Sequence, residues 1–265
     1  MSVPITTLNL PLLADISLPL PQVYPSSFFE PPSPNPPTPL TPIVQKAREL
    51  IDDVLPAWAV NHSYRVYAFG LALAEHAGWT KLPDWDVEVW FLAALMHDIG
   101  WAPNSECCAD GEGGREQSRL SFEIWGGIKA REVLLEWGAP RGCADEVCEA
   151  IIRHTESSGD IGAVTLITGL LQLGPSHDFR AILHPSYIDL GTTANIHERY
   201  PRLGLIYHFK DTLEKEMERK PGCMTRMWAP VTLAKVGGIG DLEGAQGRKG
   251  EGSEEKGNLG WLALK

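Results

Sequence analysis

His97 and Asp98 put two metal-capable side chains next to each other, directly after the apolar run VWFLAALM at residues 89–96. An imidazole nitrogen and a carboxylate oxygen suit zinc, iron or manganese. Adjacent residues on a helix project about 100° apart, close enough to converge on one ion. A single dipeptide of this kind is common by chance, so a real site needs partners from elsewhere. His62 stands near the start of another candidate helix, and such separation suits a metal held between packed helices. Asp178 follows the apolar run LITGLLQLG and would emerge at that helix's end, which makes it the candidate fourth ligand.

Several helices must position these residues. Thr41 and Pro42 read as an N-cap and first helical residue, with Ile43, Ala47, Leu50, Ile51 and Val54 on one face and Pro56 as the stop. A second helix carries Val66, Phe69, Gly70, Leu73 and Ala77 as a stripe behind His62. In the third, residues 89–100, Leu92, Leu95 and Met96 recur at helical spacing, which predicts one face in a core and the His-Asp pair at the helix end. Residues 101–117 read as a Gly-rich loop near the site. Helices follow over 118–137, closed by Gly138 and Pro140, and over 144–156, with Val147, Ile151 and His154 facing alike. Residues 163–173 are apolar nearly all round, as in a central helix, and a last helix spans 203–220. With no alternating strand pattern and no repeat, the expectation is an all-α fold of six or seven helices.

The ends differ in character. Residues 1–40 are dense in proline, with PPSPNPPTP as the extreme. Proline fixes φ and removes backbone donors, so a disordered, polyproline-like arm without ladders or helices is expected. Its PxxP spacing is permissive, and a solvated leader explains it. Residues 222–265, with GDLEGAQGRKGEGSEEKG, have too little apolar surface to offset the entropy of ordering, which predicts a disordered tail.

Composition narrows the partners. A formal charge of -11 argues against a general basic surface for nucleic acid or anionic membrane, and a small-molecule substrate fits better. Five cysteines without CxxC spacing suggest thiols in a reducing compartment. No apolar run approaches the length of a membrane span and no secretory signal is visible, so the cytoplasm is expected, with the nucleus as the other compartment.

The blocks NHSYRVY, FLAALMHDIG, SFEIWGG, EAIIRHTE and LITGLLQLG, in that order, resemble the successive motifs of the cyanamide hydratase family. That family is part of the HD-domain superfamily of all-α metalloproteins, whose signature is H…HD…D. The likeness runs from about Thr41 to Pro221 and implies an HD-domain helical bundle over residues 41–221. It implies one divalent ion, usually zinc, with His62, His97, Asp98 and Asp178 as its ligands. It further suggests a homodimer and hydration of the nitrile of cyanamide to urea, a lyase reaction. The chemistry is coherent, because a bound divalent ion lowers the pKa of its water from about 15.7 towards about 7 and can polarise a nitrile. The anionic nitrogen left by attack then needs a proton, for which His154 and Glu123 are the candidates. Thr165 and Phe179 are candidate substrate contacts, and Phe179 stands where the family tends to have asparagine.

Two other functions fit the class. Many HD proteins are nucleotide phosphohydrolases, but phosphate chemistry wants Lys or Arg at the site, and only Arg65 and Arg153 stand beside the candidates. A catalytically silent HD module used for binding is the other, favoured by Phe179, the altered tail and the Pro-rich arm. His76 and His177 read as surface residues, His184, His197 and His208 have no assigned role, and Trp90, Trp125 and Trp137 read as core.

Overall fold

The structure is a computed structural model that describes residues 7–8, 23–29, 41–108, 117–156, 164–179 and 187–235. Among the described residues there are nine α-helices and one two-residue ladder. The helices are α1 (Pro42–Val54), α2 (Ala57–His76), α3 (Val87–Met96), α4 (Phe122–Glu136), α5 (Arg141–Arg153), α6 (Leu166–Asp178), α7 (Leu190–Arg199), α8 (Leu205–Arg219) and α9 over residues 225–235. The all-α expectation holds, with α7 and α9 beyond the six or seven helices read from sequence. No described helix is long and apolar enough to cross a membrane. All five cysteines are free thiols.

Local chemistry explains where the helices begin. Thr41 caps α1, accepting from the Val44 amide, and its hydroxyl donates to Glu88 at 2.6 Å, tying α1 to the start of α3. Asp86 caps α3 by accepting from the amides of Glu88 and Val89. In α3 every residue from Trp90 to Met96 is buried, not one face alone. Burial on all sides fits an all-apolar helix. α6 is nearly as enclosed, and it packs chiefly on α2, while α4 packs on α5.

The end of α3 is held against α4 by an absent side chain. A Cβ on Gly100 would lie 2.2 Å from the Phe122 carbonyl oxygen, and one on Gly127 would lie 2.6 Å from Ile152 Cγ1 and 2.9 Å from the Cys148 carbonyl. These glycines let the His-Asp turn, α4 and α5 approach backbone to backbone. Gly100→Ala is expected to cost about 1–3 kcal/mol through overpacking, read as a lower urea-unfolding midpoint. An unchanged midpoint would show that the turn can move.

Two expectations about the ends need correction. Within the Pro-rich arm, residues 26–29 form a 3-10 turn, and buried Tyr24 and Phe29 pack with Phe69, Ala72, Ile188 and Ile196. Aromatic side chains bring enough apolar area to order a short piece between prolines. Thr7–Leu8 pairs antiparallel with Val164–Thr165, so the arm does build a ladder. At the other end, α9 lies beyond residue 221, where only a tail was expected. The rest of the expected disordered segments, residues 1–6, 9–22, 30–40 and 236–265, lies outside the described residues.

Candidate metal centre

His62 sits in the second turn of α2, His97 caps the C-terminus of α3, and Asp98 follows it in the turn. One ligand atom from each of these three buried residues lies within 4.8 Å of the others. Asp98 Oδ2 is 3.2 Å from His97 Nε2 and 3.6 Å from His62 Nε2. Bonds of 2.0–2.2 Å in a tetrahedral zinc site separate ligand atoms by about 3.4 Å, so the spacing fits an ion. Both Asp98 carboxylate oxygens are buried without a hydrogen-bond partner. A carboxylate left so in a protein interior is costly unless a cation meets it.

The histidine tautomers point the same way. His62 Nδ1 donates to Asp178 Oδ2 at 2.5 Å, and His97 Nδ1 donates to the Ala94 carbonyl at 2.8 Å. Each back nitrogen meets an acceptor and must carry the proton, so in the neutral ring each Nε2 presents a lone pair to the centre. Burial works to lower the His97 pKa, but Asp98, the Ala94 carbonyl and Asp178 together raise it, so a cation at the centre has to displace a proton there. His154, the C-cap of α5, repeats the arrangement, with Nδ1 donating to the Ile151 carbonyl at 2.6 Å and Nε2 4.0 Å from Asp98 Oδ1. Burial, reinforced by His97, lowers the His154 pKa to about 4. Burial also lowers His62. For Asp98, burial works upward, but His97 with His62 and His154 together outweigh it and hold the carboxyl low.

Asp178 does not join the triad. Its carboxylate lies on the Nδ1 side of His62, behind the ring, where Arg65 Nε donates to both oxygens at 2.8 and 3.0 Å. Arg65 also donates from Nη1 to the carbonyls of Tyr200 and Pro201, and His197 Nε2 is 3.6 Å from Asp178 Oδ1. Burial would raise the Asp178 pKa, but Arg65 and the two histidines hold it well below the usual carboxylate range. The expected fourth ligand thus meets His62 on its Nδ1 side, an arrangement like the carboxylate–histidine relays that orient metal-binding imidazoles.

The triad lies in the wall of a cavity of ≈ 160 Å³. Trp101, Phe122, Phe179, Phe209 and Trp228 make it largely aromatic, while His154, Thr155, Gln172 and Ser176 add polar groups. α9 contributes Met227, Trp228, Val231, Thr232 and Lys235. Phe179 packs on His62 with ring centroids 5.3 Å apart and on Phe209 at 4.3 Å, so it presents an apolar wall where an amide was the family tendency.

Two candidates fall outside the cavity. Glu123 is fully buried behind it, accepting from the Trp228 indole at 2.7 Å and from the hydroxyls of Thr225 and Thr155 at 3.2 Å. Burial pushes its carboxyl up against the pull of those donors. It moors α9 and does not face the cavity. Thr165 caps α6, its hydroxyl accepting from the Thr168 amide, and is likewise absent from the lining. His177, expected at the surface, is buried, donating to the Leu173 carbonyl and accepting from the Tyr187 amide. The sequence reading placed Arg65 beside the site without giving it a role, and it missed Gln172 and α9. Only Arg65 left a usable signal, three residues after His62 on the same helical face.

Packed helices that bring a histidine from one element to a His-Asp turn on another define an HD domain, and the HD domain family model matches residues 59–179. Two cyanamide hydratases of Saccharomyces cerevisiae are each 31% identical to this chain over 188 residues, covering 70% of the chain and 77% of each relative. The chain belongs to this HD-domain, cyanamide hydratase-like family.

Proposed function

We propose that this protein is a metal-dependent cyanamide hydratase, a lyase that adds water across the carbon–nitrogen triple bond of cyanamide to give urea. The observation that carries this reading is the unpartnered Asp98 carboxylate, met by the Nε2 atoms of His62 and His97 in the wall of a small aromatic cavity. These three residues would hold the ion, zinc by chemistry and family, with iron or manganese suited to the same donors. When bound, a divalent ion supplies a lowered pKa for water and Lewis-acid polarisation of a nitrile. Three protein ligands leave a position open, as catalytic sites require.

The chain's own residues do the rest. Neutral His154 presents its Nε2 lone pair beside Asp98 and takes the proton that attacking water sheds, then gives it to the nitrile nitrogen. Water oxygen bonds to carbon, one proton reaches nitrogen, and the imidic acid tautomerises to urea. Asp178, clamped by Arg65, holds the His62 ring in register. The aromatic walls lower the local polarity around the buried triad, which strengthens these interactions.

Size and charge favour this substrate over a nucleotide. A cavity near 150 Å³ accommodates a molecule such as benzene, which is ample for three heavy atoms. Arg65 is committed to Asp178, Arg153 pairs with Glu149 and Glu156, and Lys235 is the single Lys or Arg among the described residues of the lining, fewer cations than a polyphosphate wants. The test is urea release from cyanamide with metal analysis on the same sample. Stripping the protein with a chelator should lower the rate at least about a hundredfold, about 2.7 kcal/mol in the barrier, and zinc, iron or manganese should restore it. Full activity without metal would refute the reading, and one equivalent of metal with no turnover would favour the silent module.

A further inference from the structure

Gln172 lies on the face of α6 that lines the cavity, with Pro175, Ser176 and Phe179 at successive helical positions. It is 4% exposed. Its Nε2 donates to the Arg153 carbonyl at 3.0 Å, and a carbonyl can only accept, so the amide orientation is fixed. The other end of the amide, Oε1, is buried with no hydrogen-bond partner. A buried acceptor left so in a cavity wall awaits a donor from whatever fills the cavity.

We infer that Gln172 is a specificity-determining residue, its Oε1 accepting an N–H from the amino group of the substrate. The inference rests on the hydratase reading and adds to it the class of nitrile selected. A cyanamide nitrogen carries N–H donors directly on the nitrile carbon, whereas an alkyl nitrile offers none there. The aromatic walls place the molecule by shape, and Gln172 supplies the polar contact that fixes which end faces the His-Asp corner.

The experiment compares wild type with Gln172→Met, which keeps length and loses the acceptor. Azide serves as control, being a linear metal-binding anion of similar length with no N–H. The KM for cyanamide should rise about tenfold, the loss of one neutral hydrogen bond, while the azide inhibition constant stays within twofold. A KM within twofold of wild type overturns the inference, as does a parallel rise in both constants, which would mark Gln172 as a structural residue. Wild type that releases no urea defeats the hydratase reading itself. Should the variant not fold, wild type carries the same test: dimethylcyanamide should bind at least tenfold more weakly than methylcyanamide, which keeps one N–H. Equal constants would overturn the inference.

Discussion

His97→Ala should lose the metal and reduce urea formation at least about a thousandfold, about 4 kcal/mol of transition-state stabilisation. The imidazole is one of three groups that meet at the centre, and its Nε2 is the nearer of the two histidine nitrogens to Asp98. Two remaining side chains cannot fill a site that wants three protein ligands. The electrostatics move in the same direction. Burial raises the Asp98 pKa, and His97 is the foremost of the three histidines that hold it low, so without the ring the proton is held more tightly. A protonated Asp98 is a poor ligand, so the second donor weakens with the loss of the first. Elemental analysis of the purified variant and a urea assay check the two halves separately. Retained metal with lost activity would move His97 from binding to proton transfer, and retained activity would remove the proposed centre altogether.

The parts of this architecture that were legible in the sequence share one property: they are local. The Thr41-Pro42 start of α1 and the His97-Asp98 turn at the end of α3 depend on a few adjacent residues, and the structure has them as read. Asp178 does end α6. What spacing could not say is which nitrogen of His62 it meets, and that decides between a ligand and an anchor. Glu123 and Thr165 show the same limit. Each lies at a helix start, where its partners come from a distant element or its own backbone, and neither reaches the cavity. α9 was hidden for a different reason. Pro221 and Pro230 read as breakers, and the glycines and charges beyond residue 235 dilute an apolar group that includes Met227, Trp228 and Val231. α7 buries only Thr192 and Ile196 along LGTTANIHER, so no stripe exists to be read. The docking of Tyr24 and Phe29 needs α2 and α7 already in place.

Arg65→Met should destabilise the metal-free protein by about 3–5 kcal/mol, the cost of leaving a buried charge without its partner. Arg65 is wholly buried and spans three acceptors: the Asp178 carboxylate and the carbonyls of Tyr200 and Pro201. It therefore joins α2 to the end of α6 and to the segment after α7. Removing it leaves the anion facing an apolar side chain, with His62 and His197 beside the carboxylate and Arg202 on the Asp178 carbonyl. Urea unfolding after chelation measures this cost free of metal, because a bound ion would add its own stabilisation by mass action. The second consequence is separable. Asp178 fixes the His62 ring, and loss of such an anchor costs about 10–100-fold in metal affinity. Arg65→Met combined with Asp178→Leu tells the two effects apart. Replacing both partners of a buried ion pair is close to neutral, so the double variant should recover most of the stability. It should not recover the metal affinity, since nothing then holds His62 Nδ1. If both return together, the pair acts only as a strut, and the orientation of His62 comes from its packing against Phe179.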